Sequence, residues 1–100
     1  MTGIARIGDS INTNHGCTGS TTITMTRSSS TVFIDNIAVA IVGDKTPTHS
    51  YGGRNCSASH QITLANGSSS VFMDGAAVLR IDDVTSGEQI TGGSSSVFAG

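Results

Sequence analysis

One hundred residues, with 12% charged side chains and a net charge of -2, suffice for one domain with a modest hydrophobic core. Because Lys and Arg are few, the chain lacks the basic surface that nucleic-acid binding requires. No apolar run approaches the roughly 20 residues needed to cross a bilayer, and the first ten residues lack the order of a signal peptide. We therefore expect synthesis in the cytoplasm.

Serine, threonine and glycine make up 41 of the 100 residues. Strong helix formers are scarce, whereas Val, Ile, Phe and Met recur at ordered positions. This order, together with the low net charge, argues against a disordered linker. The sequence predicts a compact all-β fold in a single domain that spans residues 1–100.

A sixteen-residue unit occurs twice in full and once in two parts. The first nine residues, MTGIARIGD, match its second half. The complete copies are residues 29–44 (SSTVFIDNIAVAIVGD) and 68–83 (SSSVFMDGAAVLRIDD), and the last seven residues, SSSVFAG, match the first half. Since seven and nine make sixteen, we expect the two chain ends to complete a third unit. Three units then surround one axis, and Met1 lies close to Gly100.

Each complete unit has the pattern of a β-hairpin. Val-Phe precedes a two-residue turn, and small or branched residues follow it. Asp74-Gly75 suits a turn with positive φ, and Asp35-Asn36 is a weaker version of it. The sequence therefore predicts three similar hairpins with pseudo-three-fold symmetry.

Two further repeated features favour structural roles. Aspartates close the units, which favours turn closure and capping of backbone amides over catalysis. These aspartates are Asp9, Asp44, Asp82 and Asp83. In each Val-Phe pair we expect one side chain to face inwards and the other to face a neighbour or partner. The pairs are at 32–33, 71–72 and 97–98.

Three insertions separate the units, at residues 10–28, 45–67 and 84–93. All histidines and cysteines lie in them. The first insertion holds His15 and Cys17, the second holds His49, Cys56 and His60, and the third holds neither residue type. Such clustering favours metal binding.

The chain resembles the PAAR-repeat family, whose members cap the spike of contractile phage tails and type VI secretion systems. The resemblance rests on ARIGD near the start, His15-Gly16, the two complete units, the His- and Cys-bearing second insertion and the closing SSSVFAG. The Pro-Ala-Ala-Arg signature is degenerate: IAVAIVGD and AAVLRIDD replace it, and Asp82 replaces the expected glycine. The resemblance implies a small cone of β-hairpins on a trimeric β-helical spike, with zinc at the apex.

The resemblance also implies the metal ligands, because the family's usual set is three histidines and one cysteine. With the spacing in the insertions, it favours a tetrahedral structural Zn²⁺ site. The predicted ligands are His15, His49, Cys56 and His60. In a narrow apex with almost no hydrophobic interior, structural zinc can contribute on the order of 10 kcal/mol to folding.

Three alternatives for the cysteines stay open. Cys17 can replace Cys56 as the sulfur ligand, because residues i and i+2 of an extended strand face the same side and Cys17 stands two residues after His15. A cysteine can also be a small buried hydrophobe. The third alternative is a Cys17–Cys56 disulfide, although a cytoplasmic chain favours metal binding.

The expected function is structural and not enzymatic. We expect one copy of this chain to bind the blunt end of a trimeric spike protein, in a virion tail or a secretion spike. It then helps to pierce the target envelope, with transient membrane contact and no small-molecule substrate. One alternative is a zinc hydrolase, which is disfavoured because the only glutamate, Glu88, lies outside the His-bearing insertions. The other is a free-standing zinc-binding β-module for receptor binding, for which four aromatic residues provide little surface.

Overall fold

Short β-strands and one turn of 3₁₀ helix make up the regular structure of residues 2–100, the part of the chain described by a computed structural model. The strands are β1 (Thr2–Gly3), β2 (Ser10–Asn12), β3 (Ser20–Thr22), β4 (Phe33–Ile34), β5 (Ile37–Ala38), β6 (His49–Gly52), β7 (Ala58–His60), β8 (Phe72–Met73), β9 (Ala76–Ala77), β10 (Val84–Thr85), β11 (Glu88–Ile90) and β12 (Phe98–Ala99). The 3₁₀ turn is Arg54–Cys56. Over these residues no helix has the length and apolar character needed to span a bilayer. The all-β prediction is confirmed.

The two complete units form the predicted hairpins. Strand β4 pairs antiparallel with β5, and β8 pairs antiparallel with β9 in the same register. Both turns have positive φ, with values of 53° at Asp35 and 66° at Asn36, and 51° at Asp74 and 84° at Gly75. Asp, Asn and Gly are the residues that tolerate this conformation best, which explains their place in the repeat.

The two ends of the chain build the third hairpin. Strand β1 pairs antiparallel with β12, with Thr2 opposite Ala99 and Gly3 opposite Phe98. This pairing confirms that the chain ends complete one unit. Met1 lies outside the described residues, so the predicted proximity of Met1 to Gly100 stays a prediction.

A closed ring of backbone hydrogen bonds marks the pseudo-three-fold axis. The N–H of Ala5 donates to the carbonyl of Leu79 at 2.8 Å, that of Leu79 to Ala40 at 3.0 Å, and that of Ala40 to Ala5 at 3.0 Å. The three residues occupy the same position in their units and are fully buried. Since each unit donates to one neighbour and accepts from the other, the ring needs all three units.

The hairpin turns add a second ring of cross-unit contacts. Asp35 accepts one hydrogen bond from Ser94 and one from Ser96, and Asp74 accepts one from Ser30. In the third unit the carbonyl of Gly100 takes the place of the aspartate and accepts from Ser68. The serines of the repeat therefore bind the turn of a neighbouring unit.

Two hydrophobic clusters fill the interior. The larger combines the ring residues with apolar residues of the insertions: Ala5, Ile11, Ile23, Ala40, Ile62, Leu64, Leu79 and Ile90. The smaller is formed by the hairpins: Ile4, Ile34, Val39, Ile41, Val78 and Ala99. The valine of each Val-Phe pair packs on the smaller cluster. The phenylalanines remain exposed, at 60% for Phe33, 63% for Phe72 and 47% for Phe98. One side chain of each pair therefore faces inwards as predicted, and contact of the other with a partner stays a prediction.

Three of the four predicted aspartates, Asp9, Asp44 and Asp83, cap backbone amides, whereas Asp82 accepts a hydrogen bond only from the side chain of Gln89 within residues 2–100. Asp9 accepts from the N–H of Arg6 at 2.7 Å, and Asp83 accepts from that of Arg80 at 2.8 Å. The guanidinium of each arginine also binds its aspartate. The hydrogen bond to the carboxylate raises the pKa of both arginines.

In the first complete unit, an arginine from outside the unit binds the closing aspartate. Asp44 accepts from the N–H of Ile41 at 2.9 Å, but isoleucine offers no guanidinium. Arg27 of the first insertion supplies one, with Nη1 at 2.7 Å from Asp44 Oδ2. Because Asp44 is buried, this borrowed charge keeps its carboxylate paired.

Asp82, which replaces the expected glycine, keeps the glycine's conformation. Its φ is 78°, close to the 91° of Gly8 and the 105° of Gly43 at the equivalent positions. The backbone contact is also kept, since the N–H of each of these residues donates to a carbonyl of an insertion. The turn therefore has the same path in all three units.

Candidate metal centre

The second insertion forms a hairpin that carries two of the predicted ligands. Strand β6 pairs antiparallel with β7, and His49 stands directly opposite His60. Opposed residues of an antiparallel pair share one face of the ribbon, so the two imidazoles meet there. Their ring centroids are 4.5 Å apart.

The first and third insertions complete the cluster through a four-stranded sheet with strand order β10-β11-β2-β3. His15 lies in the loop between β2 and β3. Glu88 begins β11, in which Glu88 and Ile90 are buried while Gln89 is half-buried. The alternation of the strand therefore turns the carboxylate of Glu88 into the protein.

The carboxylate of Glu88 is the centre of the cluster. Its Oε2 lies 3.1 Å from Nε2 of His15, 3.0 Å from Nε2 of His49 and 2.8 Å from Nε2 of His60. One ligand atom from each of these four residues lies within 4.8 Å of the other three. All three insertions thus contribute to one group of nitrogen and oxygen donors.

Hydrogen bonds at Nδ1 fix the orientation and the tautomer of two of the imidazoles. Nδ1 of His15 lies 2.9 Å from the carbonyl oxygen of Gly16, and Nδ1 of His49 lies 2.9 Å from that of Pro47. A carbonyl only accepts, so each Nδ1 carries a proton and, in the neutral ring, Nε2 presents a lone pair. The Gly16 carbonyl, and to a smaller extent the Glu88 carboxylate, raise the pKa of His15.

These lone pairs face a carboxylate, which requires positive charge between them. Glu88 is fully buried, and its Oε1 has no hydrogen-bond partner among the described residues. Protons on both Nε2 atoms would not fit well between the rings and the carboxylate, because Nε2 of His60 lies only 2.9 Å from Nε2 of His49 and two N–H groups would face each other. A divalent cation would accept electron pairs from the three nitrogens and the carboxylate together. Imidazoles that bind a metal through one nitrogen commonly donate the other ring N–H to a carbonyl, as His15 and His49 do here. The donor set therefore fits a metal.

The structure assigns Cys56 to a different partner from the predicted one. Its sulfur forms a disulfide with Cys17, with the two Cα atoms 5.7 Å apart. Cys56 is thus not part of the cluster, and the predicted fourth place is taken by Glu88. The physical reason is position: Cys56 ends the 3₁₀ turn in the loop of the β6–β7 hairpin, where its sulfur meets Cys17 of the first insertion, whereas His49 and His60 oppose each other on the strands.

The three predicted histidines are brought together, whereas the sequence analysis did not predict that Glu88 joins them. The third insertion holds no His or Cys, the residue types from which the ligands were predicted, but it holds Glu88. A usable signal was present in Glu88-Gln89-Ile90, where strand alternation places the glutamate on the same side as the buried isoleucine. Metal binding by this set remains a prediction.

Comparison with known proteins gives one family match. A family model described as PAAR motif matches residues 18–87, which is 70 of the 100 residues. The matched range contains both complete units and the second insertion with His49 and His60. A comparison with curated proteins finds no significant match.

Proposed function

Because the chain belongs to the PAAR motif family, a family of structural spike-tip proteins of contractile injection systems, we propose that it is the metal-stabilised tip of such a spike. It caps a trimeric β-helical spike, of a phage tail or a type VI secretion system, and helps to pierce the target envelope. It works by shape and rigidity, without a substrate, and meets the target membrane only in passing.

The observation that carries this proposal is the convergence of all three insertions on one donor set. His15, the pair His49 and His60, and Glu88 come from separate insertions and contact one another through side-chain tips. Zinc binds imidazole and carboxylate ligands, and a structural site of this kind contributes free energy to folding directly. Bound Zn²⁺ would tie the three insertions together through these side chains.

The exposed phenylalanines support the partner in this proposal. Phe33, Phe72 and Phe98 hold the same position in three units, and each is about half exposed or more. A single chain thereby offers nearly the same apolar group three times around its pseudo-axis. A partner with a true three-fold axis can meet each group with an identical subunit, so one copy binds per trimer.

Native mass spectrometry with the cognate spike tests this proposal. We expect one copy of this chain per spike trimer, and Phe72→Ser to weaken the complex at least tenfold. Val84→Ser is the matched control, because Val84 is also an exposed apolar residue (42%) but lies outside the repeated units. Three copies per trimer, or no binding by well-folded metal-loaded protein, would refute the proposal.

A further inference from the structure

The disulfide joins two insertions beside the His/Glu cluster. Cys17 follows His15 by two residues, and Cys56 precedes His60 by four. The two cysteines are 39 residues apart in sequence, and both are exposed at the surface. A reductant can therefore reach the bond without unfolding either hydrophobic cluster.

The segment that carries Cys17, which we call the His15 loop (residues 13–19), is otherwise held by non-covalent contacts. The N–H of Thr18 donates to the carbonyl of Ser50 at 3.2 Å, and the ring of His15 stacks on that of His49 with centroids 5.3 Å apart. Asn14 donates through Nδ2 to the carbonyl of Gly87 at 2.8 Å. The hydrogen bond from Asn14 is exposed, so water competes for it, whereas the His49 ring on which His15 stacks is buried.

We propose that the Cys17–Cys56 disulfide is a redox-sensitive latch for the metal centre. When oxidised, it holds the His15 loop on the β6–β7 hairpin and keeps His15 beside the other three donors. When reduced, the loop moves outward and takes one of the four donors with it. The effect on metal release rests on the proposed metal site, whereas the effect on the loop does not.

The redox step uses a dithiol as reductant. A thiolate of the dithiol attacks one sulfur of the disulfide and forms a mixed disulfide, and the second thiolate then displaces the remaining cysteine. The S–S bond of the protein breaks, the dithiol becomes a cyclic disulfide, and two electrons and two protons reach Cys17 and Cys56. A reducing cytosol keeps such a latch open, and an oxidising compartment closes it.

The test compares three samples loaded with Zn²⁺: oxidised protein, protein reduced with a phosphine that does not sequester zinc, and Cys17→Ser/Cys56→Ser. A Ser20→Ala variant is the control for substitution near the loop. The rate at which a chromogenic chelator removes the zinc is measured for each. We expect release to be at least tenfold faster from the reduced protein and the double variant than from the oxidised protein and the control.

Amide hydrogen exchange on the metal-free forms is the second readout. We expect reduction to speed exchange in the His15 loop and in residues 54–58, while Ala5, Ala40 and Leu79 stay protected. Equal release from all forms overturns the latch, as does tighter retention by the reduced protein alone, which would mean that the thiolates have become ligands. If no form binds zinc, the proposed metal site fails and hydrogen exchange decides: unchanged loop exchange, or loss of protection in the ring as well, overturns the latch.

Discussion

The carboxylate of Glu88 lies 2.8 Å from Nε2 of His60, although the two residues belong to different insertions. A fully buried carboxylate needs a compensating charge, and the donor set around it matches that of a metal site. Glu88 is therefore the residue whose substitution separates a metal centre from a simple hydrogen-bonded cluster.

We predict one bound metal per chain and its loss on Glu88→Gln. Glutamine keeps the size of the side chain but removes the negative charge, so metal affinity should fall at least tenfold. Gln89→Ala, one residue further along the same strand, should bind as the native protein does. Elemental analysis and calorimetric titration measure both, and binding should weaken in acid because the imidazoles must be deprotonated. Unchanged metal content in Glu88→Gln would contradict the assignment.

The repeat was readable from sequence because its physics is local. Strand alternation and turn chemistry explain the Val-Phe pair, the turn with positive φ and the closing aspartate of each unit. The split unit was recognisable because the first nine and the last seven residues together match the sixteen residues of one unit. The ring formed by Ala5, Ala40 and Leu79 then results from the same backbone path in each unit.

The metal centre was only partly readable because its contacts are long-range. His49 and His60 face each other through one hairpin, but Glu88 reaches them through the pairing of β11 with β2. Spacing along the chain carries no information on that pairing. The sequence did not decide between a disulfide and a metal-binding cysteine for the same reason. Cys17 and Cys56 lie in two different loops, and the repeat does not determine the course of either loop.

A circular permutation tests the closed ring of units. Since β1 pairs with β12, a short linker between the chain ends should leave the fold intact, and new ends between Asp74 and Gly75 lie in a hairpin turn. We expect this permutant to unfold cooperatively and to retain native-like circular dichroism. New ends between Ala40 and Ile41 interrupt the buried ring and should prevent folding. A permutant opened in the turn that fails to fold would argue against closure through the chain ends.

The stability of the protein should fall in acid partly through Asp74. Hydrogen bonds from Ser30 and Thr31 lower the pKa of Asp74. A carboxylate whose folded pKa is below its unfolded value of about 3.9 adds stability that is present above that pH and lost as the pH falls through the folded pKa. In urea unfolding, Asp74→Asn should lower the midpoint at pH 7 and reduce the further loss below pH 4. Asp82→Asn is the control, and parallel pH profiles for native protein and Asp74→Asn would contradict this role.

Substitutions at the two turn residues Gly43 and Asp82 should change stability by different amounts. Both have positive φ, of 105° and 78°. Gly43→Ala puts a side chain into this conformation and should cost about 1–2 kcal/mol, although the space around its Cβ is open. Asp82→Gly relieves the same strain and should change stability by less than about 1 kcal/mol, because glycine loses more chain entropy on folding. Chemical unfolding measures both, and a neutral Gly43→Ala would contradict the strain.

Arg27 should be one of the most sensitive surface-accessible residues, because it replaces a charge that the first complete unit lacks. Its guanidinium lies 2.7 Å from the buried carboxylate of Asp44. In the other two units, Arg6 and Arg80 bind the equivalent aspartates, and the residue at their position in this unit is Ile41. Removing one partner of a buried ion pair leaves an uncompensated charge, so Arg27→Ala should destabilise the protein by about 3 kcal/mol.

Arg54→Ala is the matched control for Arg27→Ala, since Arg54 is exposed in the 3₁₀ turn and should change stability by less than about 0.5 kcal/mol. Ile41→Arg, added to Arg27→Ala, restores the arrangement of the other two units and should recover part of the loss. Urea unfolding of the single and double variants gives the coupling energy between the two positions. Equal losses for Arg27→Ala and Arg54→Ala would show that Asp44 does not depend on this borrowed guanidinium. No recovery in the double variant would show that the isoleucine packing at position 41 outweighs the charge.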